Sequence, residues 1–241
     1  MDRKFQIQQD KIALRSFVDN FHWSSGLSDE EAKLNLHDGL REIVYGNGYH
    51  AGNALLVTKN GYIITCYHCI FDYQTRPVFI RSLDGKGYRI EKICGYSTSN
   101  DIALAKIALE GPAEPIRYRF AVKHDIEQRF VVDLLVRIEN RLKKKTGVIH
   151  FPMLSTYKNR GQAIRNEDLR NQVAIHMNGQ PGDSGGIITT ERSEIYGVLA
   201  SRSYRFRVNP LTGVKYDEQV VATCTFWFEA LGIIQKVIGY R

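Results

Sequence analysis

The chain of 241 residues is 43% hydrophobic and 11% aromatic, with a formal net charge of +7, which is typical of a globular protein with a substantial core. No apolar run approaches the ~18 residues that a membrane span needs, and the amino terminus carries no apolar signal segment, so we expect a cytoplasmic protein that does not bind membranes. The basic residues form no arginine-rich run interleaved with aromatic residues, which argues against nucleic acid as a partner.

Residues 1–47 are predicted to form a helical amino-terminal segment. Ser28, followed three residues later by Glu31, is a capping box that marks a helix start. Apolar residues then recur at helical spacing as far as Val44, and Gly46 stops the run. The segment carries no motif of its own. We expect it either to pack on the main body or to act as a regulatory element that binds a partner.

Residues 48–112 are predicted to form a first β-domain. Asn60-Gly61 separates two apolar, β-prone runs, which is a strong hairpin signal. The returning strand leads into Cys66-Tyr67-His68-Cys69, and Asp101 opens a later strand, so His68 and Asp101 both stand at strand boundaries. The stretch Gly111-Pro112-Ala113-Glu114-Pro115 is the one credible linker in the chain.

Residues 113–241 are predicted to form a second β-domain that ends in a helix over 228–238. The basic cluster 141–145 is predicted to be a loop. Many short strands separated by turn signals are typical of barrels or sandwiches. The predicted strands cover residues 129–138, 147–151, 172–177, 187–189, 195–200 and 219–226.

The densest turn signal is the stretch 179–186, Gly-Gln-Pro-Gly-Asp-Ser-Gly-Gly. Glycine adopts backbone angles that other residues cannot, so this loop can hold Ser184 out on a sharp bend. The amides of Gly182 and Ser184 can then converge on one oxygen atom, as an oxyanion hole beside a nucleophile requires. A phosphate-binding loop would need a lysine and a helix after the glycines. The β-branched run 187–190 predicts a strand instead.

Four cysteines are present, and without a secretory signal we predict them to be reduced and buried rather than paired in disulfides. Cys66 and Cys69 have the spacing of a zinc-binding pair, but no second pair of ligands completes such a site. We therefore expect neither a metal nor another cofactor.

His68, Asp101 and Ser184 follow one another along the chain in three motifs, 61–68, 99–107 and 182–186. Together these resemble the serine proteases of the chymotrypsin/trypsin superfamily, and the first half is most similar to the HtrA/Deg branch. The resemblance covers about residues 48–238. It implies a mostly β fold of two antiparallel, six-stranded barrels with the site in the cleft between them, followed by a carboxy-terminal helix. The predicted helical amino-terminal segment precedes the two barrels.

The resemblance also implies roles for the motif residues. His68 accepts the proton of Ser184, Asp101 orients the imidazole, and the amides of Gly182 and Ser184 hold the oxyanion. The function predicted in this way is that of a serine endopeptidase that cleaves specific proteins. An esterase with the same triad and a catalytically inactive binding protein on the same fold remain as alternatives. The other histidines have no comparable context and are predicted to be surface or core residues, His50 among them.

Two features depart from the family pattern. Cys69 lacks the partner cysteine that secreted members place about sixteen residues earlier, which agrees with a reducing compartment. Asp183 matches an acid that trypsin-type zymogens neutralise with a newly cleaved amino terminus. Because a buried unpaired carboxylate is costly, we expect Asp183 to find an internal cation or amide partner, or its loop to stay disordered until a signal orders it.

The resemblance places the substrate pocket at Asn178 and along the strand that includes Ala200, Ser201 and Arg202. Trypsin has an aspartate at the position of Asn178, so no carboxylate is predicted to meet a basic substrate side chain. Arg202 either favours an acidic side chain or simply faces solvent.

Overall fold

The computed structural model describes residues 3–20, 26–121, 130–149, 158–159, 162–163, 172–208, 211–213 and 215–239. Within these ranges the chain forms two closed β-barrels and three α-helices. The fold is mostly β and chymotrypsin-like, as predicted. None of the described helices is long and apolar enough to cross a membrane.

The first barrel is antiparallel, and its strands lie in the spatial order β1-β2-β3-β6-β5-β4, with β4 closing onto β1. All six residues of β6 are buried, because one face of the strand fills the barrel and the other packs against a helix. The strands are β1 (Leu40–Tyr45), β2 (His50–Leu56), β3 (Tyr62–Thr65), β4 (Val78–Arg81), β5 (Gly87–Ser97) and β6 (Ile102–Ile107).

The second barrel has the order β11-β14-β13-β12-β7-β8, while β9 and β10 form a separate two-stranded sheet. Its core is a separate cluster of buried residues that includes Val132, Leu134 and Ile175. The strands are β7 (Phe130–Ile138), β8 (Arg141–Ile149), β9 (Lys158–Asn159), β10 (Gln162–Ala163), β11 (Gln172–His176), β12 (Ile187–Thr189), β13 (Ile195–Val208) and β14 (Lys215–Phe226).

The helices are α1 (Arg3–Asn20), α2 (Asp29–Gly39) and α3 (Trp227–Ile238). The capping box is present at α2, where the Glu31 amide donates to the Ser28 hydroxyl and the Glu31 carboxylate accepts from the Ser28 amide. The predicted carboxy-terminal helix is confirmed as α3.

The amino-terminal segment packs on the main body. Leu14 and Phe17 of α1 are buried in a hydrophobic cluster that joins α3 to the core of the first barrel, and the Phe17 and Trp227 rings contact each other there. Asp10 is also buried, and it accepts hydrogen bonds from Asn60 at 2.7 Å and from the Tyr62 hydroxyl at 2.9 Å. The helix is therefore part of the fold, and binding of a regulatory partner there stays a prediction.

Two local predictions were wrong. Residues 40–45 are strand β1 rather than the end of a helix. Most positions of this strand are buried, so its apolar residues also fall three and four positions apart and resemble helical spacing. The basic cluster 141–145 is part of β8, paired with β7, rather than a loop. Its first four residues are exposed on both faces of the strand, so the sequence shows no alternation there.

Candidate functional site

The pairing of β3 with β6 brings His68 next to Asp101. His68 lies in a short 3₁₀ turn directly after β3, Asp101 directly precedes β6, and Thr65 pairs with Ala103. One oxygen of the Asp101 carboxylate accepts the His68 backbone amide at 2.9 Å, and the other lies 2.5 Å from Nδ1 of the ring. This double contact fixes the ring and places a proton on Nδ1, so that Nε2 is left to react.

Asp101 itself has a strained backbone, with a φ of +49°. A left-handed conformation is uncommon outside glycine, and it costs free energy that the surrounding contacts must offset. The two hydrogen bonds from Asp101 to His68 and the pairing of β6 supply such contacts.

The protonation of His68 depends on opposing effects. Burial disfavours the imidazolium and lowers the pKa, but the hydrogen bond to Asp101 and the contact with Cys69 outweigh burial and raise the pKa of His68 to about 10. The Cys69 sulfur lies 3.5 Å from Nε2 of His68. The nitrogen that a serine nucleophile would use therefore has a sulfur neighbour.

The loop around Ser184 is clamped between β2 and β13. The Ser184 carbonyl accepts the Asn53 amide at 2.7 Å, and the Gly185 amide donates to the Leu199 carbonyl at 2.8 Å. Gly185 has a φ of +78°, and a Cβ on it would lie 1.9 Å from the Asn53 carbonyl oxygen. Only glycine fits there, because both the backbone angle and the close approach exclude a side chain.

Gly182 is held in a similar way. Its φ is +91°, and its carbonyl contacts Nε2 of His50 at 2.8 Å and accepts the Asn53 side-chain amide at 3.0 Å. Within the described part of the chain, the backbone amides of Gly182 and Ser184 donate to no protein acceptor. Their role as oxyanion donors stays a prediction.

His68 and Ser184 line the same open cavity, of about 280 Å³. Among the described residues no hydrogen bond joins them. The structure therefore brings all three predicted triad residues to one place, with Asp101 behind His68. The cavity is lined by Tyr45, Tyr49, His50, Ala51, His68, Gly179, Gln180, Pro181, Gly182, Ser184 and Leu199.

Comparison with known proteins identifies the family of the chain. The family model described as a trypsin-like peptidase domain matches residues 52–198, which is more than half of the chain. The chain belongs to this family of serine peptidases.

A solved structure similar to this peptidase is the inactive form of Rv3671c from M. tuberculosis H37Rv, a serine-to-alanine mutant. It matches with a TM-score of 0.57 and 14% identity, over 87% of this chain and 91% of that chain. At this identity the similarity shows a shared fold. No curated protein sequence matches the peptidase.

Two of the four predicted substrate-binding residues do not line this cavity. Asn178 is exposed and Ala200 is buried, and neither of these described residues lines the cavity, whereas Leu199 does. Ser201 and Arg202 lie in β13, but their side chains fall outside the described part of the structure. Their contribution to substrate binding stays a prediction.

Asp183 has the internal partners that we expected. Its side chain is 1% exposed, and one carboxylate oxygen lies 2.6 Å from Nζ of Lys145 and accepts the Gln180 amide at 2.6 Å. Lys145 reaches the loop from β8. The sequence offered no signal for this lysine, because it stands among other lysines in a segment predicted to be a loop.

His50 is the other residue that the sequence analysis missed. It was predicted to be a surface or core residue, yet it lines the cavity and contacts the Gly182 carbonyl. Its Nδ1 lies 3.0 Å from the buried carboxylate of Glu42, which also pairs with Arg81 at 2.9 Å. His50 and Gly182 are 132 positions apart in sequence, so no local pattern could reveal the contact.

The cysteines are free thiols, as predicted. Cys66, Cys69 and Cys224 are buried, and Cys94 is half-buried. Donor atoms of Cys66, His68 and Asp101 lie within 4.8 Å of one another. Because Nδ1 of His68 and the Asp101 carboxylate already satisfy each other, we do not identify these residues as metal ligands.

Proposed function

We propose that this peptidase is a serine endopeptidase in which Ser184 is the nucleophile, His68 the general base and Asp101 the residue that orients the base. The observation that carries the proposal is the double contact of the Asp101 carboxylate with the amide and Nδ1 of His68, beside a cavity that His68 shares with Ser184. Each group then has a defined task in the reaction.

In the first half of the reaction, Nε2 of His68 accepts the hydroxyl proton of Ser184 as the serine oxygen attacks the carbonyl carbon of the scissile peptide bond. The negative charge that develops on the carbonyl oxygen is bound by the amides of Gly182 and Ser184. The imidazolium then gives its proton to the leaving amine, and an acyl-enzyme ester on Ser184 remains. A water molecule, activated by His68 in the same way, hydrolyses that ester.

The oxyanion donors support this mechanism because their positions are fixed before substrate binds. Contacts from His50 and Asn53 hold the Gly182 carbonyl, and the backbone of Asn53 holds the Ser184 carbonyl. Donors that do not reorganise during the reaction stabilise a transition state more than mobile ones. Removing one such donor typically costs about 10²–10³ in kcat.

The proposed substrates are proteins, and we propose that Asn178, Ala200, Ser201 and Arg202 set the specificity, although Asn178 and Ala200 do not line the cavity that His68 shares with Ser184. Asn178 offers an amide rather than a carboxylate, so we expect no strong preference for lysine or arginine. A cleavage-site profile on a denatured protein mixture tests this point. Cleavage confined to positions after basic residues would contradict the assignment of Asn178.

The function itself is tested by peptide-bond cleavage with the purified full chain. We expect the wild-type protein to cleave an unfolded protein substrate, and Ser184→Ala to lower kcat by a factor on the order of 10⁴ or more. Ser82→Ala, in the turn after β4, is the matched control and should be indistinguishable from wild type. Hydrolysis of ester substrates with no cleavage of any amide would instead support the esterase alternative.

A further inference from the structure

The two cysteines that flank His68 have no role in the proposed mechanism. They lie at the two ends of the 3₁₀ turn, which is closed by a 3.2 Å hydrogen bond from the Cys69 amide to the Cys66 carbonyl. A turn closed in this way brings the two Cα atoms to within about 7 Å, and a disulfide needs a separation of roughly 4.4–6.8 Å. The Cα separation expected for such a turn therefore overlaps the range in which a disulfide can form.

The Cys69 thiol lies directly behind the wall of the candidate active site. Its sulfur is 3.5 Å from Nε2 of His68 and 3.7 Å from the carbonyl of Ala51, and both of these residues line the cavity. The adjacent Cys66 thiol and the neighbouring imidazole lower the pKa of Cys69, against the opposing effect of burial. A thiolate beside a small solvent cavity is the form that reacts with peroxides.

The other three cysteines have raised pKa values. Cys66 is fully buried, its sulfur donates to the Leu199 carbonyl at 2.9 Å, and burial raises its pKa. Burial also raises the pKa of Cys94, to about 11, and that of Cys224. Cys69 is thus the cysteine whose surroundings favour the thiolate, and Cys66, at the other end of the turn, is the neighbouring thiol that could form a disulfide with it.

We propose that Cys66 and Cys69 form a peroxide-oxidisable dithiol, and that their conversion to a disulfide releases Nε2 of His68 from the Cys69 sulfur and so makes the base available to Ser184. The effect on activity rests on the proposed function. Formation of the disulfide and the protonation of His68 do not depend on it.

The chemistry balances with hydrogen peroxide as the oxidant. The Cys69 thiolate attacks one peroxide oxygen, the O–O bond breaks, and the departing hydroxide takes up a proton to give water and a sulfenic acid on Cys69. The Cys66 sulfur then attacks the Cys69 sulfur and loses its proton, and the S–O bond breaks to release a second water. Overall, two thiols are oxidised to one disulfide while one peroxide is reduced to two waters.

The consequence for His68 follows from the charge that is lost. A disulfide sulfur carries neither a proton nor a negative charge, and an S–S bond of about 2.05 Å draws the Cys69 sulfur toward Cys66. The other titratable groups around His68 are unchanged by the oxidation: Asp101 behind the ring, and His50, Tyr45 and Tyr49 along the cavity. Oxidation therefore removes one of the interactions that favour the imidazolium, and His68 should titrate at lower pH.

The experiment treats the full chain with hydrogen peroxide and reads two quantities that need no enzymatic activity. Peptide mass spectrometry after alkylation should show a loss of two hydrogens confined to the fragment with Cys66 and Cys69, reversed by dithiothreitol. Nuclear magnetic resonance titration of His68 should show its midpoint lowered by at least about one pH unit in the oxidised protein, a tenfold change in proton affinity.

Cys94→Ser is the matched control and should keep both responses. Cys69→Ala and Cys66→Ala should each abolish the disulfide, so a folding failure of either variant leaves the other to decide. Oxidation of Cys94 before the pair, or an unchanged His68 midpoint in the disulfide form, would overturn the proposal. If both responses occur while Ser184 remains inert in every form, the dithiol stands and the proposed peptidase function fails.

Discussion

Nζ of Lys145 lies 2.6 Å from the carboxylate of Asp183, the residue directly before Ser184, and this ion pair ties β8 to the nucleophile loop. The carboxylate is buried and the lysine side chain is 22% exposed, so the pair is shielded from water. An uncompensated charge at this position would be expensive. Lys145 therefore supplies from within the chain the cation that the loop needs.

The first prediction concerns this cation. Lys145→Met should lower the free energy of unfolding by about 3–5 kcal/mol, because it leaves the buried Asp183 carboxylate without its partner. It should also lower kcat/KM, since the loop carries the oxyanion donors. Urea unfolding and peptide cleavage measure the two effects. Lys145→Arg, which keeps the charge, should recover part of both.

Lys144→Met is the matched control for Lys145→Met. Lys144 is the neighbour in β8 and pairs with Asp133, but its side chain is 61% exposed, so its loss should cost at most ~1 kcal/mol. Equal effects of the two substitutions would contradict a special role for Lys145. Full activity of Asp183→Asn would argue against any need for the ion pair.

The residues of the candidate triad have local sequence signals, whereas Lys145 has none. His68 and Asp101 stand at strand boundaries, Ser184 stands in a glycine-rich loop, and the hairpin at Asn60-Gly61 fixes where the strand before His68 runs. These features are encoded within a few neighbouring residues, so the fold and the candidate triad could be predicted.

Lys145 and His50 act through contacts between distant parts of the chain: Lys145 reaches Asp183 within the second barrel, and His50 of the first barrel contacts Gly182 in the loop that precedes β12. Such contacts depend on the register of distant strands, and a single sequence carries no local signal for them. The same holds for residues 40–45, whose apolar spacing fits both a helix and a strand until their pairing with β2 and β4 decides between the two.

The second prediction concerns His50, which contacts the Gly182 carbonyl. His50→Ala should lower kcat by about 10–100-fold with little change in KM, because the loss falls on the position of an oxyanion donor and is felt mainly in the transition state. Steady-state kinetics on a peptide substrate separate the two parameters. His37→Ala, in α2, is the control. A rise in KM with unchanged kcat would show that His50 binds substrate instead.

The third prediction concerns pH. The general base must be neutral to accept a proton, and the pKa of His68 is raised, so activity should be absent where the imidazolium dominates and should rise through the alkaline range. The acidic limb of kcat/KM should therefore lie well above the ordinary histidine value of about 6.5.

Cys69→Ala should move the acidic limb of kcat/KM to lower pH, because it removes one of the interactions that raise the pKa of His68. A profile with a midpoint near 6.5 in both proteins would contradict this account of the base. The pH dependence of kcat/KM in buffers of constant ionic strength is the measurement.

The fourth prediction concerns the amino-terminal helix. Leu14 is 1% exposed and lies in the hydrophobic cluster that joins α3 to the core of the first barrel, so Leu14→Ala should destabilise the protein by about 2–5 kcal/mol. Ile12 of the same helix is 49% exposed, and Ile12→Ala should change stability by less than ~1 kcal/mol. Thermal unfolding compares the two. If deletion of α1 instead gave a stable and more active protein, the helix would be a gate rather than part of the core.

The most direct test of the central claim is covalent labelling of the full chain, in both its reduced and its peroxide-treated form, by a fluorophosphonate at mildly alkaline pH, followed by intact-mass and peptide mass spectrometry. We predict one adduct, located on Ser184, which is absent in Ser184→Ala and forms slower by a factor on the order of 10⁴ in Asp101→Asn. A folded wild-type protein that is unlabelled in both forms, or an adduct that persists in Ser184→Ala, would contradict the claim that Ser184, His68 and Asp101 form a working triad.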